Sequence, residues 1–187
     1  MNFDELPNAA EVFDEMMSQS LPSFFEELAG HDGYVREHEI VNLFVFGYLV
    51  PQFQRRNLDL RQIGIEYPVK QIQLSSGDAP RALRHLVVWP RVGATLWCGY
   101  QPVAVVGWKN ISSITHEPAQ VRRGHKKDVE WLRTNSGLMQ VGYACLVTRC
   151  ELKLTFSCIR VERDIESRFL ELSAVATGQR LPVNQNC

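Results

Sequence analysis

The stretch PVAVVGWKN, residues 102–110, constrains the fold more than any other, because it is an apolar run that ends at a lysine. Such a run, rich in valine, is typical of a buried strand. Side chains two residues apart on a strand point the same way, so Gly107 and Lys109 share one face. Val103 and Val105 are expected on that face too, with the intervening residues on the other. The run therefore predicts a buried strand with one lysine at its end.

The periodicity of the remaining chain predicts an α/β domain. Five segments rich in Val, Ile and aromatic residues are predicted to be strands, namely residues 63–74, 82–90, 94–110, 140–150 and 152–163. Helical spacing of apolar residues predicts helices at 8–30 (one helix, or two divided near Pro22), 34–53, 124–137 and 165–176. This order indicates a mixed central β-sheet with helices on its faces.

Charge is distributed unevenly along the chain. Of 21 acids and 20 bases, residues 1–39 hold ten acids and one base, which leaves 11 acids and 19 bases in residues 40–187. We therefore predict an acidic helical N-terminal extension at 1–33, an α/β core at 34–176 and a tail at 177–187. The asymmetry is consistent with pairing inside the molecule or with an anionic partner for the basic part.

Composition narrows the class of protein. The chain has 187 residues, of which 45% are hydrophobic and 22% charged, as is usual for a soluble domain. It shows neither a secretory signal nor an apolar run of about 18 residues, so we expect a cytoplasmic protein without membrane contact. Its five cysteines include no C-x-x-C pair, which argues against a disulfide framework and a structural zinc site.

Two neighbouring predicted strands carry a recognisable pattern. LRHLVVWP has His85 near its start, and PVAVVGWKN has Lys109 two residues after Gly107. With the order of elements across about 34–163, this pattern resembles the PD-(D/E)XK, or restriction-endonuclease-like, nuclease superfamily. In that family, acids on two such strands hold Mg²⁺ and the lysine positions the attacking water. Lys109 matches the lysine, whereas His85 and Gly107 stand where the acids belong; Glu39, or less favourably Glu37, matches an acid on the first helix.

The missing acids decide what the resemblance implies. Glycine offers no ligand, and a neutral imidazole suits Mg²⁺ poorly. The leading hypothesis is a catalytically inactive nuclease-like protein with a vestigial Lys109 and no cofactor, which binds nucleic acid or a protein partner. An alternative is a nuclease that uses Mg²⁺ or Mn²⁺ with a relocated acid, for which the candidates are Glu39, Glu66, Glu117 and Asp128. In a purely structural interpretation, Lys109 is a solvated strand end, His85 a hydrogen-bonded residue and Gly107 a bulge or close backbone approach.

A basic segment suggests a partner. RRGHKK, residues 122–127, is expected just before or at the start of the second core helix. The candidate contacts to DNA or RNA are Arg122, Arg123, Lys126, Lys127 and Arg84. An ordinary solvated cationic face is the competing interpretation. In a third class of function, residues 1–39 are the contact surface of a protein-interaction regulator or inhibitor in a defence or mobile-element system.

Overall fold

A computed structural model describes residues 1–30, 36–68, 83–111, 118–150 and 153–175. The helices are α1 (Ala9–Gly30), α2 (Glu37–Phe44), α3 (Val50–Arg55) and α4 (Pro118–Thr134), with a π-helical turn at Val45–Leu49 between α2 and α3. The strands are β1 (Ile63–Pro68), β2 (Leu83–Val88), β3 (Ala104–Ile111), β4 (Val141–Cys150), β5 (Lys153–Glu162) and β6 (Ile165–Val175).

The six strands form one mixed sheet in the order β1-β2-β3-β4-β5-β6. Neighbouring strands are antiparallel except β3 and β4, which are parallel. A parallel pair needs a crossover connection, and α4 supplies it. The predicted α/β class and mixed sheet with flanking helices are therefore confirmed. Among the described residues, we find no helix long and apolar enough to cross a membrane.

The larger core lies between the sheet and α1, α2 and α3. Ala104, Val106 and Trp108 of β3 point into it, as do Tyr143 and Phe156 of the neighbouring strands. Aromatic rings of α1 pack directly on these side chains, with centroid distances of 5.7 Å for Phe13–Tyr143, 5.5 Å for Phe24–Trp108 and 6.3 Å for Phe25–Phe156. The acidic N-terminal helix is thus a packed layer of the fold.

The smaller core lies on the opposite face, beneath α4. Val105 of β3 packs there with Val129 and Leu132 of α4. The alternation predicted from PVAVVGWKN therefore holds from Ala104 onwards. Val103 departs from it, because this residue precedes the strand and its side chain lies in the larger core.

The predicted C-terminal helix at 165–176 is wrong, since Ile165–Val175 is strand β6. A bulge explains the error. Cys158 pairs with Leu170 and Ile159 with Arg168, which leaves Phe169 as an extra residue. Phe169 and Leu170 are both half-buried, so the apolar positions lose the alternation of a strand.

The hairpin before β6 also lacks the usual sequence signal. Its two turn residues, Arg163 and Asp164, have φ of 49° and 70°. Two positive φ values are typical of a type I′ turn, for which Asn-Gly or Asp-Gly is the common sequence. Without a glycine, the turn could not be read from the sequence.

The N-terminal segment forms one continuous helix with Pro22 inside α1, which is one of the two predicted alternatives. Two further expectations are corrected in detail. The segment 94–110 becomes a strand only from Ala104, after a 3₁₀ turn at Leu96–Cys98. RRGHKK lies within α4, which begins at Pro118, and not before or at the helix start.

The packing of α1 predicts a large stability difference between two phenylalanines. Phe24 is fully buried, so Phe24→Ala should lower the free energy of unfolding by about 3–5 kcal/mol. Phe46 is 64% exposed, and Phe46→Ala should change it by less than about 1 kcal/mol. Chemical denaturation of both variants measures the difference. Similar losses for the two would contradict this packing.

Candidate functional site

The site lies where strands β2 and β3 separate. Their ladder pairs Leu86 with Val106, Val87 with Val105 and Val88 with Ala104, although both strands continue beyond it. At the next position a hydrogen bond to the imidazole of His85 replaces the backbone pairing between the strands. The backbone N–H of Trp108 donates to His85 Nδ1 over 3.0 Å. His85 therefore closes the end of the ladder with its side chain.

The hydrogen bonds of His85 determine its tautomer. Because Nδ1 accepts from Trp108, the ring proton of the neutral imidazole is on Nε2. Nε2 lies 2.7 Å from Glu37 Oε1, on the first residue of α2, and donates to it. Both ring nitrogens of His85 are thus engaged within the protein, one as acceptor and one as donor.

Lys109 is held between two carboxylates. Its Nζ lies 3.2 Å from Glu37 Oε1 and 3.5 Å from Asp128 Oδ2 of α4. Its aliphatic stem lies over Gly124, where a Cβ atom would be 3.5 Å from Lys109 Cε. The stem thus runs beside α4 at Gly124, and the ammonium at its end is neutralised.

Asp128 lies directly over Gly107. A Cβ atom at Gly107 would be 3.6 Å from Asp128 Oδ2 and 3.7 Å from Asp128 Cβ. Four residues of a helix and two residues of a strand both span about 6 Å, so Gly124 and Asp128 on α4 match Lys109 and Gly107 on β3. A carboxylate from the crossover helix therefore occupies the space beside Gly107.

The four side chains are largely withdrawn from water. Side-chain exposure is 35% for Glu37, 19% for His85, 22% for Lys109 and 16% for Asp128. Burial raises the pKa of Glu37, but the hydrogen bond from His85 and the charge of Lys109 outweigh it. The net result is a pKa below the ordinary value, so Glu37 is ionised at neutral pH. We call Glu37, His85, Lys109 and Asp128 the Lys109 network.

The network fits Mg²⁺ or Mn²⁺ poorly. His85 has no lone pair to offer, because Nδ1 accepts from Trp108 and Nε2 carries a proton. Glu37 Oε1 already accepts hydrogen bonds from both His85 and Lys109. Across the described part of the chain, no three His, Cys, Asp or Glu side chains are grouped so that they could hold a metal ion. As arranged, these residues hold a lysine in place.

The acid preferred from the sequence is elsewhere. Glu39 Oε2 accepts the backbone N–H of Arg36 over 2.6 Å and so caps the start of α2. Glu37, the less favoured of the two, is the one that joins His85 and Lys109. A single amphipathic pattern could not tell which residue of the first turn faces the sheet. The relocated candidates Glu66 and Glu117 have side chains outside the described part of the chain.

The basic candidates on α4 share one exposed surface. It consists of four side chains, Arg122, Arg123, Lys126 and Lys127. The opposite side of the helix buries His125, Val129 and Leu132, and burial lowers the pKa of His125. Within the described residues, no ion pair involves these four cations. We call them the α4 basic face; the side chain of Arg84 lies outside the described part of the chain.

Three acids at the start of the chain pair with cations other than these four. Asp14 receives two hydrogen bonds of 2.8 Å from Arg160, and Tyr143 also donates to it. Glu15 lies 3.3 Å from Arg56, and Asp4 is bound by Arg91. Because α1 packs on the opposite side of the sheet from α4, the acidic helix does not cover the α4 basic face.

Comparison with known proteins adds no assignment. No protein-family model, curated protein or solved structure matches this chain.

The lowered pKa of Glu37 predicts a pH-dependent stability. Ionised Glu37 stabilises the fold above its ordinary pKa, and this contribution is lost as the pH falls through the lowered pKa. Glu37→Gln should therefore be less stable than wild type at neutral pH, and the gap should narrow below about pH 4. Glu39→Gln is the matched control, since glutamine can also cap α2. Denaturant unfolding at several pH values measures the gap, and a gap independent of pH would contradict this role.

The contacts of two glycines predict opposite results. A Cβ at Gly107 makes ordinary contacts, so Gly107→Ala should keep or slightly raise stability, by up to about 1 kcal/mol. A Cβ at Gly142 would lie 2.6 Å from Leu132 Cδ2, so Gly142→Ala should cost about 1–3 kcal/mol. Denaturant unfolding compares the two variants. Equal losses would mean that Gly107 is required by packing.

Proposed function

We propose that the chain is a catalytically inactive nuclease-like protein that binds nucleic acid. One observation carries the proposal. At the position that resembles the nuclease motif, Lys109 is bound by Glu37 and Asp128, and Glu37 is also bound by His85. The lysine is thus engaged with carboxylates of its own chain, where a catalytic lysine would need to face a water molecule and a phosphate.

The residues that stand at the two acid positions, His85 and Gly107, also argue against cleavage. The side chain at 85 ends the β2–β3 ladder and serves the backbone of Trp108, which is a structural task. The residue at 107 has no side chain, and Asp128 fills the adjacent space. These residues keep the frame of a nuclease-like site without the pair of hard oxygen ligands that Mg²⁺ requires.

Binding of nucleic acid is supported by the α4 basic face. Clustered cations without internal partners bind the phosphate backbone through release of counterions. The acidic helix α1 packs on the opposite side of the sheet and does not cover them. These four cations therefore favour nucleic acid over an acid-mediated contact as the first function to test.

A metal-dependent nuclease with relocated acids is the second candidate. The carboxylates of Glu37 and Asp128 both lie within 3.5 Å of Lys109 Nζ, so two oxygen donors converge on the motif lysine. Cleavage by this arrangement would require Glu37 to release His85 and a metal to displace the ammonium. Mg²⁺ or Mn²⁺ would be the ion for such ligands.

The protein-interaction regulator has less support. Four acids of residues 1–39, namely Asp4, Asp14, Glu15 and Glu37, already bind cations of the body. The helix that carries two of them buries Phe13, Phe24 and Phe25 in the larger core. Deletion of residues 1–30 would therefore unfold the protein and cannot serve as the test of a partner surface.

The proposal predicts binding without cleavage. Wild type and Lys109→Ala are incubated with labelled single- and double-stranded DNA and RNA, with Mg²⁺ or Mn²⁺, and cleavage and retention are read on the same gels. We expect no cleavage by either protein and salt-sensitive retention by both. Arg55→Gln, at an exposed position of α3, is a control that also removes one positive charge and leaves the Lys109 network intact.

The other outcomes separate the candidates. Cleavage by wild type that is lost in Lys109→Ala, and also in Glu37→Gln and Asp128→Asn, would establish the nuclease and overturn the proposal. Absence of both cleavage and retention would contradict nucleic-acid binding and leave the regulator as the remaining candidate.

A further inference from the structure

The cations of α4 are arranged as two short rows. Arg122 and Lys126 are four residues apart, as are Arg123 and Lys127, so each pair lies on one stripe of the helix about 6 Å apart along its axis. Like charges at this spacing repel each other and slightly destabilise a helix. An anion bound across both rows would remove this repulsion.

Six of the cations described outside α4 have a carboxylate partner. The pairs are Arg56–Glu15, Arg61–Asp59, Arg91–Asp4, Lys109–Glu37, Arg160–Asp14 and Arg168–Glu171. Further along α4, Arg133 lies 4.0 Å from Glu166. Among the described residues, the α4 basic face thus concentrates positive charge that the chain itself does not neutralise.

The shape of this surface selects the kind of anion. A small anion is normally bound in a concave site, whereas these side chains project from the convex outer side of a helix. The helix itself is held rigidly, because His125, Val129 and Leu132 are buried against the sheet. A rigid convex surface with two rows of cations suits an extended polyanion that runs along it.

The four side chains of the α4 basic face include no aromatic ring on which bases could stack. Trp89 and Trp108 are buried and Trp131 is half-buried, so none of the tryptophans whose side chains the structure describes is exposed. Binding of single strands without sequence preference usually depends on exposed aromatic side chains. Contacts to phosphates alone carry no sequence information and need no unstacked base.

We propose that the α4 basic face binds the phosphate backbone of a nucleic-acid duplex without sequence preference. Arg122, Arg123, Lys126 and Lys127 make the contacts, and the Lys109 network takes no part in them. This inference rests on the proposed nucleic-acid binding and adds the surface, the duplex form and the backbone mode. DNA and RNA share the phosphodiester chemistry, so the two sources are separate arms of the test.

The test measures the salt dependence of binding. Dissociation constants are determined by fluorescence anisotropy for two unrelated DNA duplexes, an RNA duplex and the matched single strands, at several salt concentrations. Four phosphate contacts predict a slope of about −3 to −4 in the logarithm of the binding constant against that of the salt concentration. The two DNA duplexes should bind equally, and each more tightly than its single strands.

Matched variants connect the binding to α4. The pairs Arg122→Gln/Arg123→Gln and Lys126→Gln/Lys127→Gln should each reduce the slope by about 2, and the quadruple variant should lose most of it. Arg55→Gln/Lys153→Gln is the control, because both residues are exposed on other elements. It should bind as wild type does. Circular dichroism and thermal unfolding verify that each variant is folded.

Failure of this inference differs from failure of the proposed function. If wild type binds and the folded quadruple variant binds equally well, the α4 face is wrong while nucleic-acid binding stands. Tighter binding of single strands, or of one duplex sequence over the other, overturns the duplex backbone mode. If wild type binds no nucleic acid, both proposals fail together.

Discussion

The strict alternation of side chains along β3 is the constraint on which the rest of the structure depends. Even-numbered residues from Ala104 to Trp108 anchor the helical layer that contains α1, and the residues between them face α4. Lys109 is on the α4 side, where its stem lies against Gly124 and its ammonium lies 3.5 Å from Asp128 Oδ2. A shift of one residue would place the lysine under the aromatic side chains of α1.

The same constraint determines which side chains surround Lys109. A side chain at Gly107 would share its face with Lys109 and meet Asp128, so the crossover helix already places a carboxylate there. On the neighbouring strand, Nδ1 of His85 accepts a hydrogen bond from the backbone N–H of Trp108, and its Nε2–H donates one to Glu37. Charge around Lys109 is therefore balanced by acids from two helices, and the strands contribute the lysine and the imidazole.

Local patterns predicted the parts of this fold that depend on local chemistry. Valine-rich runs located the strands around β3, and their parity located Lys109 and Gly107 on one face. The strand β6 was missed because the extra Phe169 disturbs its alternation. The roles of Glu37 and Asp128 depend on how α2 and α4 dock on the sheet. The spacing of residues along the chain does not predict this docking. The resemblance to the nuclease superfamily remains a prediction.

Whether a metal ion binds between Glu37 and Asp128 tests the central claim most directly. Glu37 is bound by Lys109 and His85, and Asp128 is bound by Lys109. Crystals grown with Mn²⁺ and a nucleic-acid duplex should therefore show no anomalous density between the two carboxylates. The ammonium should stay within ion-pair distance of both. A Mn²⁺ ion about 2.1–2.2 Å from oxygens of Glu37 and Asp128, with Lys109 displaced, would contradict the account and establish a working nuclease centre.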